Sequence, residues 1–279
     1  MSLTEESTSR FVQTKNWRMH YSEAGEGPAL VLLHGSGPGA SGWSNYQQNM
    51  PELAKHFRVL ALDMIGWGGS DPVKYTERDN AEGIIQFLDT LGIEKAALVG
   101  NSLGAMMALR VAVRRPELVS HLITMGSGVG GVKLFQPNDG PSEGMKVLFE
   151  TYRNPTTEQM RKLISIMTFD PKFTEGDLAE KRAAAARSTQ VHLDNYNEGQ
   201  PFGPGDIFTS DEDLAKIKAP LLLIHGRDDR VVGLEHSFKL LSATQNSRLV
   251  IFNRCGHWAQ LEHHEEFNRM VTDFVLHTN

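Results

Sequence analysis

The chain has 279 residues, of which 40% are hydrophobic and 22% charged, the balance of an ordinary soluble globular protein with room for one large α/β domain or two small ones. A formal net charge of −6 without a basic stripe argues against a nucleic-acid partner, and no apolar run approaches the ~20 residues of a membrane span. The single cysteine, Cys255, excludes an internal disulfide framework, and the first ten residues are too polar for a signal peptide, so a cytoplasmic protein is expected.

Residues 11–14 and 18–23 alternate polar and apolar around Asn16-Trp17 and predict an opening hairpin. The run Ala29-Leu30-Val31-Leu32-Leu33 predicts a strand buried on both faces, and it ends in the Gly- and Pro-rich loop His34-Gly35-Ser36-Gly37-Pro38-Gly39. A helix is expected over 46–56, a second buried strand over 58–63, a loop over 66–72, and an amphipathic helix over 79–91 that stops at Gly92. A strand at 96–99, a helix from Met106 and a sixth strand at 121–125 follow.

Strands alternating with helices imply a mostly parallel sheet with helices on both faces. After Gly126 the rhythm breaks. Segments 143–152, 157–167 and 177–190 read as helices with no strand between them, and the stretches 128–131 and 137–141 as loops. We therefore expect 128–204 to be a helical cap inserted after the sixth strand, lying over the carboxyl edge of a core made of 1–127 and 205–279. Beyond it come a strand at 220–224, a helix at 235–242, a strand at 248–252 and a closing helix at 265–277.

The stretch that organises the chain is Gly100-Asn101-Ser102-Leu103-Gly104, set between a strand and a helix. That context is the nucleophile elbow, in which a sharp turn exposes a serine at the carboxyl end of the sheet. By composition alone such a pentapeptide arises by chance in roughly one chain in ten of this length; its placement and its partners are what give it weight. A serine nucleophile needs a base, and the base needs an acid to orient it. On this topology the order is Ser, then an acid, then His, each on a loop after a strand. The strand at 220–224 runs into His225-Gly226-Arg227-Asp228-Asp229-Arg230, and spacing does not choose between the two aspartates. The strand at 248–252 runs into Arg254-Cys255-Gly256-His257-Trp258, which makes His257 the base. His225 precedes the aspartates, His236 lies on a helix, and His263 and His264 open one, so none of these fits the role. The oxyanion hole is expected from the backbone N–H groups of Leu103 and Ser36.

Together, Ser36-Gly37-Pro38-Gly39-Ala40-Ser41-Gly42-Trp43-Ser44-Asn45, the elbow, Gly226-Arg227-Asp228-Asp229-Arg230-Val231-Val232 and Cys255-Gly256-His257-Trp258-Ala259-Gln260 resemble the meta-cleavage product hydrolases of the α/β-hydrolase fold. The resemblance implies hydrolysis of a carbon–carbon bond in a 2-hydroxy-6-oxo-hexa-2,4-dienoate, the product of extradiol ring cleavage. It selects Asp229 as the acid. It implies that Arg182, on a cap helix, grips the substrate carboxylate, that Asn45, Asn101 and Trp258 line the polar half of the site, and that Phe169 lies near the dienoate. It implies a homo-oligomer and no metal or cofactor, and the sequence itself shows no dinucleotide fingerprint and no His/Cys cluster with ligand spacing. Ala105 stands where the family usually has a second Gly, and Gly233 where Pro usually follows Val-Val; neither change removes a functional group. The apolar cap positions Met145, Leu148, Ile164 and Met167 suit an alkyl and an aryl acyl substituent alike. The rival readings are a carboxylesterase with the same triad, which has no need of Arg182, and a non-enzymatic receptor, which has no need of the triad.

Overall fold

In the computed structural model, residues 3–131, 134, 140–199 and 207–278 are described. Eight strands, β1 (Ser9–Gln13), β2 (Arg18–Ala24), β3 (Ala29–Leu33), β4 (Arg58–Leu62), β5 (Ala96–Asn101), β6 (Val119–Met125), β7 (Leu221–Gly226) and β8 (Ser247–Phe252), form one sheet in the order β1-β2-β4-β3-β5-β6-β7-β8. The β1–β2 and β2–β4 pairings are antiparallel and all the others parallel.

The unbroken apolar runs occupy the middle of this sheet because both of its faces are covered. Successive side chains point to opposite faces. Leu30, Leu32, Val59, Ala61, Ala97 and Val99 pack against Tyr46, Met50, Leu53, Phe267 and Val271 on one side. Val31, Leu33, Leu60, Leu62 and Leu98 pack on the other against Ile84, Leu88, Ala108 and Val111, from helices Asn80–Thr90 and Leu103–Arg114.

The expected helix over 46–56 is instead two short ones, Gly42–Tyr46 and Met50–Leu53. Pro51 has no N–H to continue the first helix and sits in the opening turn of the second, where none is needed. The predicted helix over 177–190 likewise divides into Leu178–Ser188 and an unforeseen Gln190–Glu198. At the break the Ser188 and Thr189 hydroxyls both donate to the Ala185 carbonyl, competing with the backbone for it. The cap boundary expected at 204 and most of the loop at 137–141 lie outside the described residues.

The helical segment between β6 and β7 touches the core at the loops that follow the strands. His192 Nε2 meets the Gly68 carbonyl at 3.1 Å, the Ser142 hydroxyl donates to the Val231 carbonyl at 2.8 Å, and the Met167 carbonyl accepts from the His257 N–H at 2.7 Å. These helices therefore lie over the carboxyl edge of the sheet, where the elbow opens. Among the described residues no helix is long and apolar enough to cross a membrane.

Asp79 caps helix Asn80–Thr90 by accepting from the Glu82 N–H at 3.1 Å, and it pairs with Arg114 of helix Leu103–Arg114 at 2.7 Å. Burial alone would raise this carboxyl, but the Glu82 N–H and the Arg114 guanidinium together hold it below its ordinary value. Because the folded-state pKa is depressed, the stabilisation is present above the unfolded value and is lost as pH falls through the folded one. We predict that Asp79→Ala costs about 1 kcal/mol at pH 7. The difference from the parent chain should shrink below about pH 4, as read by denaturant unfolding at a series of pH values.

Candidate active site

Ser102 lies directly after β5 with φ 52° and ψ −116°, one of two non-glycine residues with positive φ among those described. Its N–H donates to the Met125 carbonyl at 2.8 Å, tying the turn to the end of β6. The strain persists because the surroundings impose it. The elbow glycines are required for space. A Cβ on Gly100 would lie 2.4 Å from the Ala105 nitrogen, and one on Gly104 would lie 2.3 Å from the Leu33 carbonyl oxygen. As the first residue of its helix, Leu103 has an N–H with no intrahelical acceptor.

His257 and Asp229 come together at the ends of β8 and β7. His257 Nδ1 donates to Asp229 Oδ2 at 2.7 Å, and both side chains are almost wholly buried. That bond sets the tautomer, leaving Nε2 with a lone pair for a proton. Asp229 Oδ1 accepts from the Val231 and Val232 N–H groups at 2.7 and 3.0 Å. Burial pushes its carboxyl up, but the His257 ring, its hydrogen bond, His225 and the Val232 N–H prevail and keep it below its ordinary value. Asp228, the alternative acid, faces elsewhere: it accepts from the Cys255 N–H at 3.3 Å and pairs with Arg227 at 3.6 Å.

Two cavities hold other expected site residues; the first includes Ser102, and the second includes none of Ser102, Asp229 and His257. One, of about 450 Å³, is lined by Ser102, Leu103 and Ser36 and by the apolar side chains of Met106, Met145, Leu148, Phe149, Val231 and Val232. The other, of about 310 Å³, is lined by Ser44, Asn45, Arg182, Trp258 and Gln260. A larger cavity of about 570 Å³, lined by Glu5, His20, Asp63 and His192 among others, includes none of Ser102, Asp229 and His257.

Arg182 is the electrostatic centre of the polar cavity. Its guanidinium donates to Asn45 Oδ1 at 3.0 Å and to the Ser44 carbonyl at 3.3 Å, and lies 4.5 Å from the Trp258 ring centroid. No carboxylate pairs with it among the described residues, and its Nε is buried without a partner. Burial pulls its pKa down to about 10. A buried, unpaired guanidinium is costly, and an anion placed beside it relieves that cost.

Two residues expected at the substrate are placed differently. Asn101 lines neither cavity. It is fully buried, and its amide donates to the His257 carbonyl at 3.1 Å, bracing the base loop against the nucleophile strand. Phe169 is exposed beneath the Arg254 guanidinium and borders a surface groove with Asp228 and Arg230, away from both cavities. The short helix at 157–167 ends at Met167, so Phe169 has already turned outward. Met145 and Leu148 line the apolar cavity as expected, whereas Ile164 and Met167 pack in the core.

Two supporting residues were not foreseen. His225, set aside because it precedes the aspartates, lies 3.4 Å from Asp229 Oδ2, and its ring bonds the Ser237 hydroxyl and the Val232 carbonyl. Burial lowers its pKa and keeps it neutral. Glu262 accepts from the N–H groups of Gly256, Phe169 and Asp170, clamping the base loop to the helical segment. Position directly after a strand was the available signal for His225, and none marked Glu262.

A family model described as the α/β hydrolase fold matches residues 28–264. A 2-hydroxy-6-oxononadienedioate/2-hydroxy-6-oxononatrienedioate hydrolase of Paraburkholderia xenovorans is 40% identical, over 99% of this chain and 98% of its own. A 2-hydroxy-6-oxo-6-phenylhexa-2,4-dienoate hydrolase of Burkholderia cepacia is also 40% identical, over 98% of each chain. Among solved structures, a meta-cleavage product hydrolase from Pseudomonas fluorescens superposes with a TM-score of 0.87 at 31% identity, covering 97% of this chain and 98% of that one. The chain belongs to the meta-cleavage product hydrolases of the α/β-hydrolase fold.

In this hydrolase the unpaired Arg182 should lower stability for the sake of the site. Arg182→Met is expected to raise Tm, each kcal/mol recovered appearing as about 2–4 °C in a calorimetric scan.

Proposed function

We propose that the protein hydrolyses the carbon–carbon bond of a 2-hydroxy-6-oxo-hexa-2,4-dienoate, releasing 2-hydroxypenta-2,4-dienoate and a carboxylic acid. The observation that carries this reading is the combination of a buried Arg182 that has no carboxylate partner among the described residues, set against Trp258 of the base loop, with an apolar cavity that opens at Ser102. A dienoate has that polarity: a carboxylate with an adjacent hydroxyl at one end, a hydrocarbon-substituted ketone at the other. Its relatives' names point the same way.

Arg182 and Asn45 hold the carboxylate end, with Trp258 beneath the guanidinium. The dienol first shifts its proton from the 2-hydroxyl to C5, giving a keto form whose C5 can depart as a stabilised enolate; His257 Nε2 is placed to carry that proton. Ser102, deprotonated by the same nitrogen, then adds to the C6 ketone. The N–H groups of Leu103 and Ser36 stabilise the resulting oxyanion. Collapse breaks the C5–C6 bond, the electron pair passes into the dienolate, and the protonated His257 returns a proton to the 2-oxygen, giving 2-hydroxypenta-2,4-dienoate. Water activated by His257 cleaves the acyl-enzyme and regenerates Ser102. Asp229 keeps the imidazole in one tautomer and stabilises its cation throughout.

Two dienoates, one methyl- and one phenyl-substituted, and a nitrophenyl ester provide the test, followed by loss of dienolate absorbance and release of nitrophenolate. Ser102→Ala should abolish turnover of all three. Asp229→Asn should reduce kcat by about 10⁴-fold through loss of the productive tautomer. Arg182→Gln should reduce kcat/KM for the dienoates by at least about 100-fold, the loss of a charge-assisted contact, with little effect on the ester. Turnover of the ester alone by the parent enzyme would replace this reading with a carboxylesterase.

A further inference from the structure

Tyr152 stands on helix Glu143–Arg153 of the helical segment and is buried, its ring stacked on Tyr196 at 3.5 Å with 7° between the planes. Tyr75 meets Tyr196 edge-on at 5.0 Å, and both of these rings line the apolar cavity beside Ser102. The Tyr152 phenol oxygen reaches two groups on core loops: Trp67 Nε1 at 3.0 Å and Ser36 Oγ at 3.0 Å.

One direction in this chain of bonds follows from chemistry. An indole N–H can only donate, so Trp67 donates to the phenol oxygen. The phenol's other partner is Ser36 Oγ, where either hydroxyl can donate, and the Tyr196 side chain also hydrogen-bonds Ser36. Burial pushes the phenol up to about 12, so the proton stays in place at neutral pH. Ser36 itself sits between Gly35 and Gly37, in backbone that its own sequence leaves free to turn.

We propose that Tyr152 is a positioning residue for the oxyanion hole: through its hydrogen bond to Ser36 it fixes the Ser36 N–H relative to Ser102. The aromatic stack that holds Tyr152 thereby links seating of the helical segment to assembly of the hole. The proposal rests on the reading of Ser102 as nucleophile and of the Ser36 N–H as an oxyanion donor, and it does not depend on which substrate is cleaved.

The test measures kcat and KM on a dienoate and on the nitrophenyl ester, with affinity for a phenylboronic acid, which forms a tetrahedral adduct on a reactive serine. Deleting an oxyanion donor costs 10²–10³-fold, so a displaced one in Tyr152→Phe should lower kcat by about tenfold, with KM little changed and boronate affinity falling by the same factor. Ser36→Ala removes the other hydroxyl of the same bond, so the double variant should be no worse than the worse single one. Trp67→Phe removes the upstream donor from a core loop and should reproduce the direction of the effect. Unchanged kcat and boronate affinity in both Tyr152→Phe and Trp67→Phe would overturn the proposal, and so would losses that multiply in the double variant. An enzyme active on the ester but inert toward dienoates would sink the carbon–carbon reading and leave this test complete on the ester.

Discussion

The strained turn at Ser102 is the constraint on which the rest of the structure depends. A φ of 52° on a serine is unfavourable by itself, and two close backbone approaches hold it: Gly100 against the start of the nucleophile helix, and Gly104 against the end of β3. The second requires that β3 and β5 be adjacent and parallel, which in turn requires helices on both faces of the sheet. The fold thus bears the cost of one exposed hydroxyl through the packing of its whole centre, with Leu30 to Leu33 and Ala96 to Val99 almost wholly buried.

Around that hydroxyl the polar groups divide by whether they are satisfied. Asp229 has its oxygens occupied by His257 Nδ1 and by the Val231 and Val232 amides, so its charge is stabilised in place and the imidazole is held in one tautomer. Arg182 is the opposite case. Its guanidinium has a carbonyl, an amide oxygen and an aromatic face, but no carboxylate. The network at the triad is satisfied, whereas the Arg182 guanidinium lacks a charged partner among the described residues. The division matches a reaction in which the catalytic groups must not move and the substrate must supply a missing charge.

The helical segment between β6 and β7 takes part in this arrangement. It brings Arg182 to Asn45, the Met167 carbonyl to the base loop and the Tyr152 hydroxyl to the loop after β3. Each is a contact with a stretch of chain that follows a strand of the sheet, so the geometry of the site depends on the segment's own packing. Tyr75, Tyr152 and Tyr196 form an aromatic stack in that packing, and it borders the cavity where the acyl group of the substrate would lie.

What the sequence determined by itself was everything that depends on local pattern. Continuous apolar runs marked the central strands, and the order Ser, acid, His after successive strands named Ser102 and His257, because strand, turn and helix are short-range features with short-range signatures. The choice of Asp229 over Asp228 was not local: adjacent residues on one turn face opposite ways, and the tertiary placement of His257 and Cys255 shows which faces the base. The same holds for Asn101 and Phe169, whose side chains could be located only once the base loop and the end of helix Thr157–Met167 were in place. His225 meets Asp229, Val232 and Ser237 within 12 residues of itself, but Glu262 and Tyr152 meet partners distant in the chain, up to 116 residues away for Tyr152 and Ser36. No periodicity or motif spans such a separation; only the packing of the helical segment on the carboxyl edge of the sheet decides it.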